Sequence, residues 1–181
     1  MNPPRLQSQR LIIQPMDVTD ATTLYAYRSH PDVVRFQSMM FKNEREAQHF
    51  IQNHQGFDFG IPETWFQLGI YLKPEQELIG DIGVHFLDKN LETVEIGYTI
   101  TPAHQRNGYA FEVVHKFLDF LFKDQNTNTV IGITNSQNRS SIKLLARLGF
   151  QSTDPVPLHF DFQLLPDELV FTLPQTLWKT A

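Results

Sequence analysis

A six-residue segment between a predicted strand and a predicted helix is well suited to binding an anion: Gln105-Arg106-Asn107-Gly108-Tyr109-Ala110. The first backbone N–H groups of a helix lack intrahelical partners and lie at the positive end of its dipole, so they bind phosphates. Gly108 and Ala110 let a ligand approach the main chain, and Arg106 adds positive charge. The segment lacks the residues of a Walker A loop or a dinucleotide-binding loop. It therefore predicts a phosphate-binding loop for a ligand other than ATP or NAD.

The elements around this loop follow from the apolar pattern. Apolar residues at 110, 113, 114, 117, 118 and 121 form one face of a helix. Strands are predicted at 11–13, 65–72, 78–86, 93–100, 129–134, 151–163 and 168–173. Other helices are predicted from Asp17 to about Ser29, from Asn43 (in a capping box with Glu46) to about His54, and over 138–148 before Gly149, with a short turn at 32–36. This order predicts one α/β (α+β) domain over residues 1–181, with a mixed sheet.

Composition excludes several classes of protein. The 181 residues include no cysteine, which excludes disulfides, zinc–thiolate sites and a cysteine nucleophile. His49 and His54 lack the spacing of a helical zinc site, so we expect no metal. The net charge of −5 argues against nucleic-acid binding but permits a basic partner. No apolar run is long enough to span a membrane and no signal-peptide pattern opens the sequence, so we expect a soluble, cytoplasmic protein.

The chain resembles the GNAT acetyltransferases, within them the branch that includes the N-terminal acetyltransferases of ribosomal proteins (RimJ/RimL-like). Gln105, Gly108 and Ala110 match the family loop, in which glutamine or arginine, glycine, and glycine or alanine are similarly spaced. Further matching segments are 10–15, 30–35, 78–83, 94–98, 138–141 and 148–150, in the family's order. The resemblance implies a mixed, mostly antiparallel central sheet flanked by helices, with acetyl-CoA as cosubstrate.

The resemblance also assigns residues to the cosubstrate. The loop would hold the pyrophosphate through its N–H groups, residues 98–100 would pair with the pantetheine arm like an added strand, and the start of the 138–148 helix would border the sulfur. The implied binding residues are Tyr98, Thr99, Ile100, Gln105, Arg106, Asn107, Gly108, Tyr109, Ala110, Asn138 and Ser141. A plain helix N-cap would equally explain Asn138.

Two residues are candidates for catalysis. Glu95 would remove the proton of the attacking amine, directly or through water, although an exposed strand carboxylate would also explain it. Ser141 would hydrogen-bond the departing thiolate or relay a proton through water, since serine is too weak an acid to protonate a thiolate whose thiol has a pKa of about 8.5. A backbone N–H near residues 98–100 would polarise the carbonyl. Glu112 matches a family glutamate, but its place on the helix favours a structural role. Without cysteine, direct attack on the thioester is favoured.

Three interpretations of the function remain, two of which differ in the acceptor. The first is a protein N-terminal α-amine, the second a small amine such as a polyamine, amino acid or aminoglycoside, and the third a non-catalytic CoA-binding sensor or interaction module, which Glu95 and Ser141 disfavour. An α-amine is easier to deprotonate than lysine. The sequence departs from the family at 111–113 and in the closing hairpin at 164–173, and Phe160 and Asp161 stand where ribosomal-protein acetyltransferases carry a glutamate. Trp65, Phe66 and Tyr71 would line an acceptor pocket or the core. A homodimer is left open.

Overall fold

Eight strands form one sheet in the computed structural model, which describes residues 2–37, 39–54, 58–153 and 164–179. The strands are β1 Leu6–Gln7, β2 Leu11–Gln14, β3 Trp65–Leu72, β4 Glu77–Phe86, β5 Thr93–Ile100, β6 Thr129–Asn135, β7 Gln151–Ser152 and β8 Glu168–Pro174. The helices are α1 Ala21–Arg28, α2 Pro31–Val34, α3 Glu44–His54, α4 Tyr109–Asp124 and α5 Arg139–Arg147. Among the described residues, no helix is both long and apolar enough to cross a membrane.

The sheet is mixed and mostly antiparallel, as predicted. Its strand order is β1-β2-β3-β4-β5-β6-β8-β7. All described neighbours pair antiparallel except β5 and β6, which are parallel and are joined through α4. The short edge strand β1 was not predicted. Of the strand predicted at 151–163, Gln151–Ser152 is observed, whereas residues 154–163 lie outside the described residues.

Two apolar clusters lie on opposite faces of the sheet, because successive strand residues alternate sides. On one face, Ile82, Val84 and Ile96 pack against the buried stripe of α4 and against α5. On the other face, Tyr71 packs with Leu24 of α1 and the buried residues of α3. Of the stripe predicted for α4, Val113, Val114, Phe117, Leu118 and Leu121 are fully buried, and Ala110 is half-buried.

The predicted helix boundaries are close to those observed, with two differences. Asp17 was predicted to cap the α-helix, but it caps a 3₁₀ turn, Val18–Asp20, and α1 begins after that turn. The side chain of Asn43 accepts the N–H of Glu46 at 3.0 Å, but the carboxylate of Glu46 accepts the N–H of Lys42. The capping box is therefore half formed. Gly149 follows α5 with φ 91°, the left-handed conformation of a C′ glycine.

A buried ion pair joins α1 to β4. Asp81 is 0% exposed and accepts hydrogen bonds from Arg28 Nε at 2.9 Å, Tyr27 Oη at 2.5 Å and Gln67 Nε2 at 2.8 Å. Arg28 is 4% exposed. Burial and the neighbouring carboxylate raise the pKa of Tyr27 well above its usual value, so its hydroxyl stays a donor. These contacts dock α1 on the face of the sheet opposite α4.

Candidate active site

β5 and β6 separate part-way along their length. They pair in parallel from Thr93 opposite Thr129 to Ile96 opposite Gly132. Beyond that pair, residues 97–100 of β5 continue beside β4 and the rest of β6 continues beside β8. Within the described residues no ladder joins the two continuations, and we call the opening between them the strand gap. Its β5 side carries main-chain groups of Tyr98, Thr99 and Ile100, the positions predicted to pair with an extended ligand.

The predicted phosphate loop lies at the far end of this strand. After Ile100 the chain makes a 3₁₀ turn, Pro102–His104, and enters α4 at Tyr109. Gly108 is the N-cap with φ 81°, and Arg106 has φ 64°. In the described structure no side chain caps this helix start. Its first N–H groups are therefore available to an anion, with the exposed Arg106 on the same loop.

Side chains within the loop hold its shape. Gln105 Nε2 donates to the carbonyl of Ile100 at 3.0 Å. Asn107 Nδ2 donates to the carbonyls of His104 and Gln105 at 3.2 Å each. These two predicted binding side chains are thus engaged with the loop itself, which leaves the main chain and Arg106 as its groups for a ligand. Ala110 is half-buried at the start of α4.

Arg10 braces the loop from the β1–β2 side, a contact that the sequence did not reveal. Its Nη1 donates to the carbonyl of Asn107 at 3.1 Å, and its guanidinium lies 4.4 Å from the ring centre of Tyr109. Its Nε donates to Glu112 at 2.7 Å. No local pattern connects residues about a hundred positions apart, so only the fold brings them together.

Glu112 has the structural contacts expected of it. Its carboxylate accepts from Ser8 Oγ at 2.7 Å and from the main-chain N–H of Arg10 at 2.8 Å, besides Arg10 Nε. Burial alone would raise the pKa of Glu112, but these hydrogen bonds and the Arg10 charge together hold it below its usual value. The carboxylate ties α4 to the turn between β1 and β2.

The start of α5 lies against β5. Ser141 Oγ is 3.1 Å from the hydroxyl of Tyr98. Burial raises the pKa of Tyr98 to about 12, despite the opposing effect of that hydrogen bond. The side chain of Asn138 accepts the N–H of Ser141 at 3.1 Å, so it is the N-cap of α5. Thr99, also predicted to bind the ligand, is buried and accepts a hydrogen bond from Gln37 Nε2 at 3.0 Å.

Glu95 lies one residue before the last pair of β5 with β6, at the closed end of the strand gap. Its side chain is 16% exposed, and Oε2 lies 3.6 Å from Nδ1 of His85, the residue directly opposite on β4. Because strand residues alternate sides, Glu95 faces away from Tyr98 and Ser141. A carboxylate and a pair of hydroxyls therefore stand on opposite sides of one strand.

Trp65 of β3 lies next to His85, which in turn lies next to Glu95. It lies opposite His85, and the two rings stack with centres 5.1 Å apart and planes at 17°. Trp65 is 43% exposed, whereas Phe66 and Tyr71 are buried on opposite faces. Of the three aromatic residues considered for an acceptor pocket, Trp65 alone remains accessible, and the other two belong to the core.

Comparison with known proteins identifies the fold. The family described as acetyltransferase (GNAT) domain matches residues 10–151. The chain belongs to the GNAT acetyltransferase family. It is 32% identical over 149 residues to the uncharacterized N-acetyltransferase YoaA of Bacillus subtilis, with 82% of this chain and 83% of YoaA covered. It is 31% identical over 147 residues to the uncharacterized N-acetyltransferase p20 of Bacillus licheniformis, with 81% and 82% covered.

Solved GNAT structures share this architecture. The GNAT acetyltransferase from Bacillus anthracis superposes with a TM-score of 0.78 at 20% identity, covering 96% of this chain and 99% of that one. The ribosomal-protein-S5-alanine acetyltransferase from Vibrio fischeri gives 0.72 at 16% identity, covering 98% and 100%. The predicted fold and enzyme class are confirmed, and the protein is an N-acetyltransferase of this family with acetyl-CoA as donor. The site residues remain predictions, to which the structure adds Arg10 and His85.

Proposed function

We propose that this GNAT enzyme acetylates the α-amino group at the N-terminus of a protein, by direct attack of the amine on the thioester of acetyl-CoA. The observation that carries the proposal is the placement of Glu95 and the Tyr98–Ser141 hydroxyl pair on opposite sides of β5, at the closed end of the strand gap. An amine can approach from the Glu95 side while sulfur departs on the other.

The chain's own groups account for binding of the donor. The N–H groups at the start of α4, with Arg106, would hold the pyrophosphate. From there the β5 edge at residues 97–100 leads back towards Glu95 over roughly 13 Å, at about 3.3 Å per residue. Its main-chain groups would pair with the pantetheine arm as an added strand does. The thioester would then lie beside the residue that follows Ile96, where a backbone N–H can polarise its carbonyl.

The hydroxyl pair would serve the leaving sulfur by hydrogen bonding. With a pKa of about 12, Tyr98 is a weaker acid than the thiol of the product, whose reference pKa is about 8.5. Tyr98 therefore stays protonated, and in the arrangement in which its hydroxyl donates to Ser141 Oγ the proton of Ser141 would be directed towards sulfur. Proton transfer to the thiolate is left to solvent. On the opposite side, the proton of the amine leaves towards Glu95.

The choice of an α-amine follows from proton energetics. Deprotonating a lysine at pH 7 costs about 4.6 kcal/mol, whereas an α-amine of pKa about 7.7–8.0 costs about 1 kcal/mol. A site with one carboxylate, that of Glu95, suits the amine that costs less free energy to deprotonate. The Vibrio fischeri relative is named for acetylating a ribosomal protein at alanine, which supports the same class of acceptor. The net charge of −5 suits a basic partner.

A small amine is the second candidate, because the sequence departs from ribosomal-protein acetyltransferases at Phe160, Asp161 and the closing hairpin. Phe160 and Asp161 lie outside the described residues.

The test is turnover of acetyl-CoA with four acceptors: a short peptide with a free N-terminus, the same peptide blocked there but carrying lysine, a polyamine and an aminoglycoside. We expect the free N-terminus to react fastest. Faster reaction of the blocked peptide or of either small amine would overturn the acceptor assignment and leave donor binding intact.

A further inference from the structure

Trp65, His85 and Glu95 form one row across three adjacent strands. The pairs Trp65–His85 and His85–Glu95 are each in direct register, so the three side chains lie on the same face of the sheet. This is the face from which the acceptor would approach. The stack on Trp65 restrains the plane of the imidazole, and the 3.6 Å contact with Glu95 lies at its Nδ1.

The position of the carboxylate near Nδ1 bears on which ring nitrogen of His85 would be basic. A neutral imidazole carries one N–H, and the carboxylate favours the tautomer with that proton on Nδ1. Nε2 is then left with its lone pair. At 3.6 Å the contact is longer than a hydrogen bond, but such contacts in enzymes without substrate often tighten when the reactants bind.

We propose that His85 is a catalytic residue that takes the proton from the attacking amine, and that Glu95 positions the imidazole and stabilises its charged form. This proposal rests on the proposed function and refines the route of the proton. An ordinary imidazole has a pKa of about 6.5, much closer to that of an α-amine than the value of about 4.3 for a glutamate carboxyl. General bases work best when their pKa lies near the working pH.

The step balances without a further reactant. The nitrogen of the amine forms a bond to the acetyl carbon, and the carbon–sulfur bond breaks with its electron pair on sulfur. The proton lost from nitrogen moves to Nε2 of His85. The imidazolium passes this proton to solvent, and solvent protonates the thiolate.

The charged groups on this face are compatible with that role. β5 supplies Glu95, whose carboxylate oxygen lies 3.6 Å from Nδ1 of His85. Farther along β4 on the same face, Asp81 is already neutralised by Arg28 of α1, and Tyr27 of α1 donates to it. β3 supplies Trp65, an uncharged side chain whose indole stacks on the imidazole of His85. Among the residues that the structure describes, Glu95 is therefore the charged group placed to act on His85.

The test compares His85→Ala with a matched control, His115→Ala. Both histidine side chains are similarly exposed, at 25% and 24%. His115 also lies near a carboxylate, Asp119 at 4.0 Å, and against an indole, Trp178 at 4.8 Å, but on α4 and away from the strand gap. The acceptor is the fastest amine of the panel above, so a wrong acceptor assignment does not alter the comparison.

We expect His85→Ala to lower kcat near pH 7 by roughly 10²–10⁴, with unchanged acetyl-CoA affinity in calorimetry. Added imidazole should restore part of the rate, and the deficit should shrink as pH rises above the pKa of the amine, because less deprotonation is then required. Glu95→Gln should lower kcat less than His85→Ala, and His115→Ala should match the wild type. His85→Gln, which keeps more of the side-chain volume, serves if the alanine variant does not fold.

Two results would overturn the proposal. One is a His85→Ala enzyme whose kcat stays within about threefold of the wild-type value, which is far short of the loss typical for a general base, while Glu95→Gln is nearly inactive. The other is a loss that is the same at every pH and is not relieved by imidazole, as a structural role would give.

Discussion

Replacing Asp81 by alanine should destabilise the protein strongly, because it removes the counter-ion of a buried guanidinium. Asp81 is fully buried and Arg28 is nearly so. The carboxylate accepts from Nε of Arg28 at 2.9 Å and also from Tyr27 and Gln67. Alanine would leave all these donors without their shared acceptor, inside the contact between α1 and the sheet.

The expected loss is about 3–5 kcal/mol in the free energy of unfolding, the usual effect of removing one partner of a buried ion pair. For a domain of 150–250 residues, 1 kcal/mol shifts the melting temperature by about 2–4 °C, so the loss corresponds to roughly 6–20 °C. The matched control is Asp32→Ala, because the Asp32 side chain is 82% exposed and its contact with the ring of His30 is long, at 3.9 Å. Its effect should stay within about 0.5 kcal/mol.

Urea unfolding measures both variants, and a double variant identifies the cause. Arg28→Met combined with Asp81→Leu replaces the ion pair by apolar side chains, so it should lose less than the sum of its single changes. A loss below about 1 kcal/mol for Asp81→Ala, or strictly additive effects in the double variant, would refute the claim that the uncompensated charge is the cause.

Two further predictions concern the loop and its brace. Gly108→Val and Gly149→Val each place a side chain on a residue with positive φ, 81° and 91°, which costs about 1–2 kcal/mol of backbone strain. The atoms nearest to the new Cβ lie at 3.5 and 3.8 Å, so neither side chain clashes and both variants should fold. Calorimetry should show weaker acetyl-CoA binding for Gly108→Val alone; equal affinity in the two variants would contradict the pyrophosphate site. Glu112→Gln should destabilise the protein at pH 7. Because the pKa of Glu112 in the folded protein is below its ordinary value of about 4.3, its stabilising contribution is complete above that ordinary value and disappears as pH falls through the lowered value. The stability difference from wild type, followed by unfolding across pH, should therefore narrow in acid, and a constant difference would contradict the assigned contacts.

Most elements could be predicted because their signals are local. The strand at Trp65–Leu72, the strand at Thr93–Ile100 and the buried stripe of α4 follow from side-chain alternation and helical spacing. β1 has only two residues, too few for a period. The half-formed capping box at Asn43 shows the limit at boundaries, since which N–H a carboxylate reaches depends on the exact backbone geometry.

The site could be predicted along each strand better than between strands. The loop was found from its place at the start of a predicted helix, and Glu95 from the resemblance to GNAT proteins. His85 could have been found from the hairpin, because the paired residues of β4 and β5 lie at equal distances from Asn90. Arg10 and the Arg28–Asp81 pair could not, because their partners lie about a hundred and about fifty positions away.

The strand gap and the hydroxyl pair depend on one helix, which the sequence places but does not orient. Leu145 of α5 packs on Gly132, the last residue of β6 paired with β5, where a Cβ would lie 3.0 Å from its side chain. One turn earlier, Ser141 contacts Tyr98 on the other side of the gap. α5 therefore contacts both strands where they separate. The glycine at 132 permits this close approach, so the absence of a side chain on β6 helps to set both the position of Ser141 and the width of the opening.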